Sequence, residues 1–173
     1  MRVLIAGVDG YLGWALAQHL ILRGHEVAGI DLFLRRDWVA EMGSQSVTPI
    51  RRMTERLAAF REVYGRNLLF RKGDLRDYDC VLNFLKSFQP EAIVHLGEMP
   101  SAPYSMLDVH HAVFAQCNNI GGTLNLLFAM RDCCPEAHLV KLGTMGEYGT
   151  PNVDIPEGFF EIEYRGRKDR LPF

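Results

Sequence analysis

The chain has 173 residues, 48% hydrophobic and 23% charged, which is the usage of a globular domain and not of a disordered, collagenous or coiled-coil chain. Its 19 basic and 21 acidic side chains give a net charge of −2, without the basic surplus of a nucleic-acid binder. At about 100–200 residues per domain, the length suits one domain with at most a short extension. Cys80, Cys117, Cys133 and Cys134 show no CxxC spacing and read as reduced thiols, not as a disulfide frame or a zinc site. No run reaches about 18 apolar residues, and the first apolar segment begins at Val3 with no leader before it, so a cytoplasmic protein without a membrane partner is expected.

Arg2 to Gly7 is a short apolar run closed by glycine, the pattern of a buried parallel strand. Tyr11 to Arg23 then carries Leu12, Ala15, Leu16, Leu20 and Leu22 at near-helical spacing, and Gly24 stops the helix. Glu26–Asp31 is a second strand with an acid at its end. A charged connection over 32–50, with room for a short helical piece, leads to Met53, Leu57, Phe60 and Tyr64 at helical steps. Strands follow at 67–71, 92–96 and 138–142, with helices over 78–88 and, as one long element, from about Val109 to Arg131. Strands alternating with helices predict βαβ units, a parallel sheet and right-handed crossovers. The tail, Phe159 to Phe173, partly alternates around Arg165-Gly166-Arg167 and predicts a hairpin or irregular extension. With no closing helix and no further strand after it, a piece of a longer protein is expected.

The chemistry-bearing signal lies between the first strand and the first helix. Gly7-Val8-Asp9-Gly10-Tyr11-Leu12-Gly13 has the spacing G-x-x-G-x-x-G. Gly7 permits the tight turn, Gly10 lets the backbone approach a pyrophosphate, and Gly13 lets helix and strand pack closely. The amides of the helix start, at Tyr11 and Leu12, supply donors and the positive end of the dipole. Asp31 falls 18 residues beyond Gly13, where a carboxylate accepts a ribose 2′-OH and repels a 2′-phosphate, favouring NAD over NADP. Arg35 and Arg36 lie nearby, either as holders of such a phosphate, as stackers on adenine, or as a solvated basic loop. Asp74-Leu75, after the third strand, suits the adenine amino group and ring; the plain alternative for Asp74 is a helix N-cap.

In an open parallel sheet, ligands lie over the carboxyl ends of the strands. After the fourth strand, Leu96, Gly97 and Glu98 are candidate cofactor contacts, with Gly97 allowing close passage of a nicotinamide ribose. Ser101 and Tyr104 are candidates for substrate hydroxyls, Tyr104 having a core aromatic with a satisfied hydroxyl as its alternative. His95 reads as a core histidine. His110 and His111, adjacent on a helix and pointing apart, do not read as metal ligands. Asn119 is either a functional amide or a packing one. After the fifth strand, Thr144 would place a hydroxyl at the reacting carbon's oxygen, and Glu147 would serve as acid or base.

These residues resemble the extended short-chain dehydrogenase/reductase family of NAD-dependent epimerases and dehydratases, whose fold is a doubly wound parallel α/β sheet of Rossmann type. Gly7, Gly10, Gly13, Asp31, Asp74-Leu75, and Thr144 with Tyr148-Gly149 carry the likeness. Within the family, Asp9-Gly10-Tyr11 with Gly13-Trp14 and the segments 48–50, 101–106 and 139–152 are similar to the UDP-sulfoquinovose synthases of sulfolipid biosynthesis. The resemblance implies an NAD-using enzyme that takes UDP-glucose and sulfite to UDP-sulfoquinovose through a 4-keto intermediate; the missing later strands would leave an exposed sheet edge, which a homodimer is expected to cover. It implies a catalytic role for Thr144, also touching substrate, with Met145 and Glu147 near the sugar's C5 and C6. Residues 1–150 are then the NAD-binding domain and 151–173 the extension.

Two departures stand out. Pro100 occupies a place where the resemblance implies arginine. The family's Tyr-x-x-x-Lys pair belongs on a helix that would begin beyond Phe173. Tyr164-x-x-x-Lys168 matches that spacing, but its glycine and its alternating flanks predict a hairpin. A fold truncated before that helix and before the C-terminal substrate domain is therefore expected, with little turnover on its own. A UDP-sugar 4-epimerase, a 4,6-dehydratase and a non-catalytic nucleotide-binding module are the alternatives.

Overall fold

The computed structural model describes residues 1–144, 146, 149, 152 and 158–172. Five parallel strands form the main sheet: β1 (Arg2–Ala6), β2 (Glu26–Asp31), β3 (Leu69–Lys72), β4 (Ala92–His95) and β5 (His138–Lys141). Their order is β3-β2-β1-β4-β5, so the chain leaves β1 in one direction and returns past it in the other. The helices are α1 (Tyr11–Leu22), α2 (Leu34–Glu41), α3 (Met53–Tyr64), α4 (Tyr78–Phe88), the single turn α5 (Ala102–Ser105), α6 (Val109–Gln116) and α7 (Gly122–Cys133).

Both faces of the sheet are covered, which is why its central strands read as unbroken apolar runs. Side chains alternate across β1. Leu4 and Ala6 join Ala28, Ile30 and Ile93 under α4 and α7, with Val81, Leu85 and Leu126. Ile5 joins Val27 beneath α1 and α3, with Ala17, Ile21, Met53 and Phe60. Each such fully buried aliphatic side chain contributes roughly 1.5–3 kcal/mol. The outer strands β3 and β5 are mostly exposed, as edges are.

The long helix expected over 109–131 is not continuous α-helix. A π turn, Cys117–Gly121, separates α6 from α7 and inserts one residue into the backbone ladder. The alternative reading of Asp74 as a helix N-cap is also corrected: the N-cap of α4 is Asp77, whose carboxylate accepts from the Cys80 N–H at 3.0 Å. The connection after β2 does contain a helix, α2, which buries Trp38 alone.

The chain divides into two compact units, Met1–Leu142 and Gly143–Phe173. In the second, β6 (Phe159–Tyr164) and β7 (Arg167–Pro172) pair antiparallel around Arg165 and Gly166, both with positive φ (52° and 73°). That two-residue turn matches the twist of a hairpin. Tyr164 and Lys168 therefore stand on opposite strands and do not share a helix face.

Candidate functional site

The glycine turn is built by close backbone approach. Gly7 has φ +89°, and a Cβ there would lie 2.7 Å from the Gly97 nitrogen and the Leu96 carbonyl carbon. A Cβ on Gly13 would run into the Gly7 carbonyl oxygen, so α1 rests directly on the turn. Gly10 differs: it has an ordinary φ of −68°, and a Cβ would meet protein only at van der Waals distance, 3.4 Å from the Gly7 oxygen. Inside the protein Gly10 is not required. What its missing side chain leaves clear is the approach to the start of α1, which no side chain caps and whose first turn holds no acid. These are the features of an anion cradle, and a dinucleotide's pyrophosphate fits them. Tyr11 and Leu12, at the helix start, expose their side chains to solvent.

Asp31 closes β2 beside this turn. Its Oδ2 accepts the Asp9 N–H at 2.8 Å and its Oδ1 the Phe33 N–H at 2.7 Å. Burial pushes this carboxyl up from its ordinary value, against the two backbone donors that favour the charged form. A carboxylate has about four acceptor positions, so two remain for a ribose hydroxyl. Asp9 is buried and holds Arg36 through two hydrogen bonds of 2.7 Å, and Arg56 through Oδ1. Arg36 is thus engaged by the turn itself. Arg35 is exposed.

Asp74 is gripped by Arg76 through its backbone N–H (2.8 Å) and its guanidinium (2.6 Å). Burial raises this carboxyl, and the Arg76 bonds and charge outweigh it, leaving it below its ordinary value. Leu75 lies against Gly97 and Gly122: a Cβ on Gly97 would meet its Cδ1 at 2.7 Å. The Leu75 carbonyl accepts from Asn125 at 2.9 Å.

After β4 the chain is pinned from three sides. Glu98 takes Lys141 at 2.8 Å. Asn119, set in the π turn, accepts the Met99 N–H at 2.7 Å and donates to the Met99 carbonyl at 3.0 Å. The Thr123 hydroxyl donates to the Asn119 carbonyl (2.7 Å), so it accepts from His95, whose proton is then on Nε2 (3.1 Å). Desolvation holds His95, 1% exposed, below its ordinary pKa, as befits a core histidine. Ser101 caps α5 by accepting the Tyr104 N–H at 3.3 Å.

Tyr104 is buried, and its hydroxyl donates to Glu41 of α2 at 2.6 Å, which raises the phenol to about 12. Glu41 also faces His111 Nε2 (3.0 Å), whose Nδ1 faces Asp108 (2.7 Å). Sequence reading passed over Arg56, Glu41 and the linking role of His111. Their partners lie 47 to 70 positions away, and no local spacing announces them. In the second unit, Thr144 Oγ1 accepts the Gly146 N–H at 3.1 Å. Met145 and Glu147 lie outside the described residues.

Fold and turn together define a Rossmann-type domain with a glycine cradle at its first strand–helix junction. Residues 3–165 match the NAD dependent epimerase/dehydratase family, and the chain belongs to that family, within the extended short-chain dehydrogenase/reductases. It is 46% identical over 172 residues to the chloroplastic UDP-sulfoquinovose synthase of Spinacia oleracea, covering 99% of this chain and 36% of the relative. It is 43% identical over 172 residues to the UDP-sulfoquinovose synthase of Sulfolobus acidocaldarius, covering 99% and 44%. The chain thus spans under half the length of these relatives. The solved UDP-Glc/GlcNAc 4-epimerase of Campylobacter jejuni superposes with a TM-score of 0.68 at 22% identity, covering 90% of this chain and 41% of that one, a likeness of fold.

Proposed function

We propose that the chain is the NAD-binding portion of a UDP-sulfoquinovose synthase, an enzyme that joins UDP-glucose and sulfite. The observation that carries this reading is identity of 43–46% along 99% of the chain to two such synthases, set on a turn where a Cβ at Gly10 would meet protein only at van der Waals distance. In this reading the amides at Gly10, Tyr11 and Leu12 hold the pyrophosphate, and Gly7 and Gly13 shape the turn beneath them. Asp31 takes the adenosine ribose, Asp74 and Leu75 receive the adenine, and Leu96, Gly97 and Glu98 line the nicotinamide side. Asn119 positions that loop through Met99. NAD, when bound, supplies a hydride acceptor that takes the hydride from the sugar's C4 and later returns it.

Ser101 and Thr144 contact the sugar in this reading, Thr144 giving its hydroxyl to the C4 oxygen, with Met145 and Glu147 beside C5 and C6. A 4-keto sugar makes the C5 proton acidic, so that water can leave across C5–C6 and sulfite can add at C6. Tyr104, the other candidate for the sugar hydroxyls, donates its own hydroxyl to Glu41, and in this reading it braces α5 against α2 beside the sugar. The proposal includes a cytoplasmic homodimer that binds neither nucleic acid nor membrane; among the described residues no helix is long and apolar enough to cross one.

The test is product analysis of the full-length protein with UDP-glucose, with and without sulfite. A sulfonated UDP-hexose formed only with sulfite is expected, lost at least tenfold in Thr144→Ala. The UDP-glucose 4-epimerase of Klebsiella pneumoniae, 29% identical over 137 residues, marks the second reading. A sulfite-independent 4-epimer as sole product would establish that one instead.

A further inference from the structure

Asp9 sits at the second variable position of the glycine turn, where the turn itself needs no carboxylate. It is 6% exposed, and its two oxygens bind two guanidiniums. Arg36 meets it fork to fork, Nε on Oδ2 and Nη2 on Oδ1, and donates besides to the Arg51 carbonyl at 3.1 Å. Arg56 reaches Oδ1, donates to the Asp9 carbonyl at 3.3 Å, and lies 3.9 Å over the Trp14 ring. Through its own N–H, Asp9 is tied to the Asp31 carboxylate. Two carboxylates and two guanidiniums thus balance beside the turn.

An arginine near the end of the second strand is the group that receives the 2′-phosphate of a phosphorylated dinucleotide. Arg36 is such an arginine by position, in the first turn of α2 shortly after Asp31, but its fork already holds a buried carboxylate. We propose that Asp9 is a cofactor-specificity residue, which withholds Arg36 and Arg56 from a 2′-phosphate and, with Asp31, makes the site select the unphosphorylated dinucleotide. This rests on the reading of the glycine turn as the NAD site. A 2′-phosphate brings a charge of about −2 at neutral pH. With the Asp9 carboxylate in place it meets a balanced cluster and no free fork. With asparagine there it meets one cation in surplus and a guanidinium released to pair with it bidentately.

The test is calorimetric titration of the chain and of Asp9→Asn with NAD and with NADP, after circular dichroism. Wild type should prefer NAD, and Asp9→Asn should narrow the NAD:NADP affinity ratio at least tenfold, chiefly by gaining NADP. Adding Arg36→Gln should reverse the gain. The double variant Asp9→Asn/Arg56→Met removes the guanidinium that would otherwise stay buried without its carboxylate, so that folding does not decide the outcome; it should still gain NADP through the freed Arg36 fork, by less than the single variant because the surplus cation is gone. A wild type that binds NAD, with ratios in both variants within twofold of it, overturns the role of Asp9 and leaves the site standing. A wild type that binds neither dinucleotide overturns both.

Discussion

Asn119 closes a two-point clamp on Met99, accepting its N–H at 2.7 Å and donating to its carbonyl at 3.0 Å. The clamp reaches 20 positions along the chain and fixes the loop that follows β4. Asn119→Ala would leave the Met99 N–H, the Met99 carbonyl and the Asn118 side-chain amide without these partners in a half-buried place, at a cost of about 1–3 kcal/mol. Urea unfolding measures it. Asn119→Asp, which keeps only the acceptor, should fall between the two; a stability equal to wild type in Asn119→Ala would show that water replaces the clamp.

Gly7 and Gly10 should behave as opposites. At Gly7 a Cβ meets backbone at 2.7 Å and the φ is +89°, so Gly7→Ala should cost about 3 kcal/mol or more in thermal or urea unfolding. A loss below about 1 kcal/mol would mean that β1 and the Gly97 segment are not packed as tightly as described.

The Glu41–His111–Asp108 relay should make stability depend on pH in two directions. His111 is held above its ordinary value, first by the hydrogen bond to Asp108 and then by that to Glu41. Its contribution is therefore full below about 6.5 and is lost as pH rises through the raised folded value. Asp108, pushed down to about 2 chiefly by the His111 N–H and ring, contributes above its ordinary 3.8 and loses that as pH falls towards 2. Melting temperatures across this range should fall at both ends in wild type and more shallowly in His111→Gln. Parallel curves would rule the relay out as a stabilising element.

Tyr164→Phe should leave the turnover of the full-length protein within twofold. Its hydroxyl and the Lys168 amine belong to opposite strands of a hairpin, where Lys168 pairs with Glu163 at 3.7 Å. A hundredfold loss in a steady-state assay would put Tyr164 in the catalytic machinery.

The strand–helix alternation of the first unit is legible in the sequence because apolar period and glycine punctuation are local properties. Helices at 53–64 and 78–88 stand where their spacing puts them. The π turn is not legible: one inserted residue leaves the apolar pattern from Val109 to Arg131 nearly unchanged while breaking the ladder at Asn119. Asp74 has the chemistry of a cap, but the helix starts only at Tyr78, which gives the cap to Asp77. Within the site, Gly7, Gly13 and Asp31 announce themselves by spacing. Arg56 does not, since its hold on Asp9 spans 47 positions and depends on how α3 lies against α1. Gly29 carries no motif, yet a Cβ there would strike the Val8 side chain at 2.5 Å and spoil the packing beneath the turn.

Titration of NAD into the wild-type chain and into Gly10→Ala tests the glycine cradle most directly. Because a Cβ at Gly10 finds only a 3.4 Å protein contact, Gly10→Ala should stay within about 1 kcal/mol of wild type in unfolding, the scale of a lost N-cap glycine. It should nevertheless bind NAD at least tenfold more weakly, because the methyl group stands where the pyrophosphate would lie. Equal affinity in the two proteins, or no binding to wild type, would contradict a dinucleotide seated on this turn.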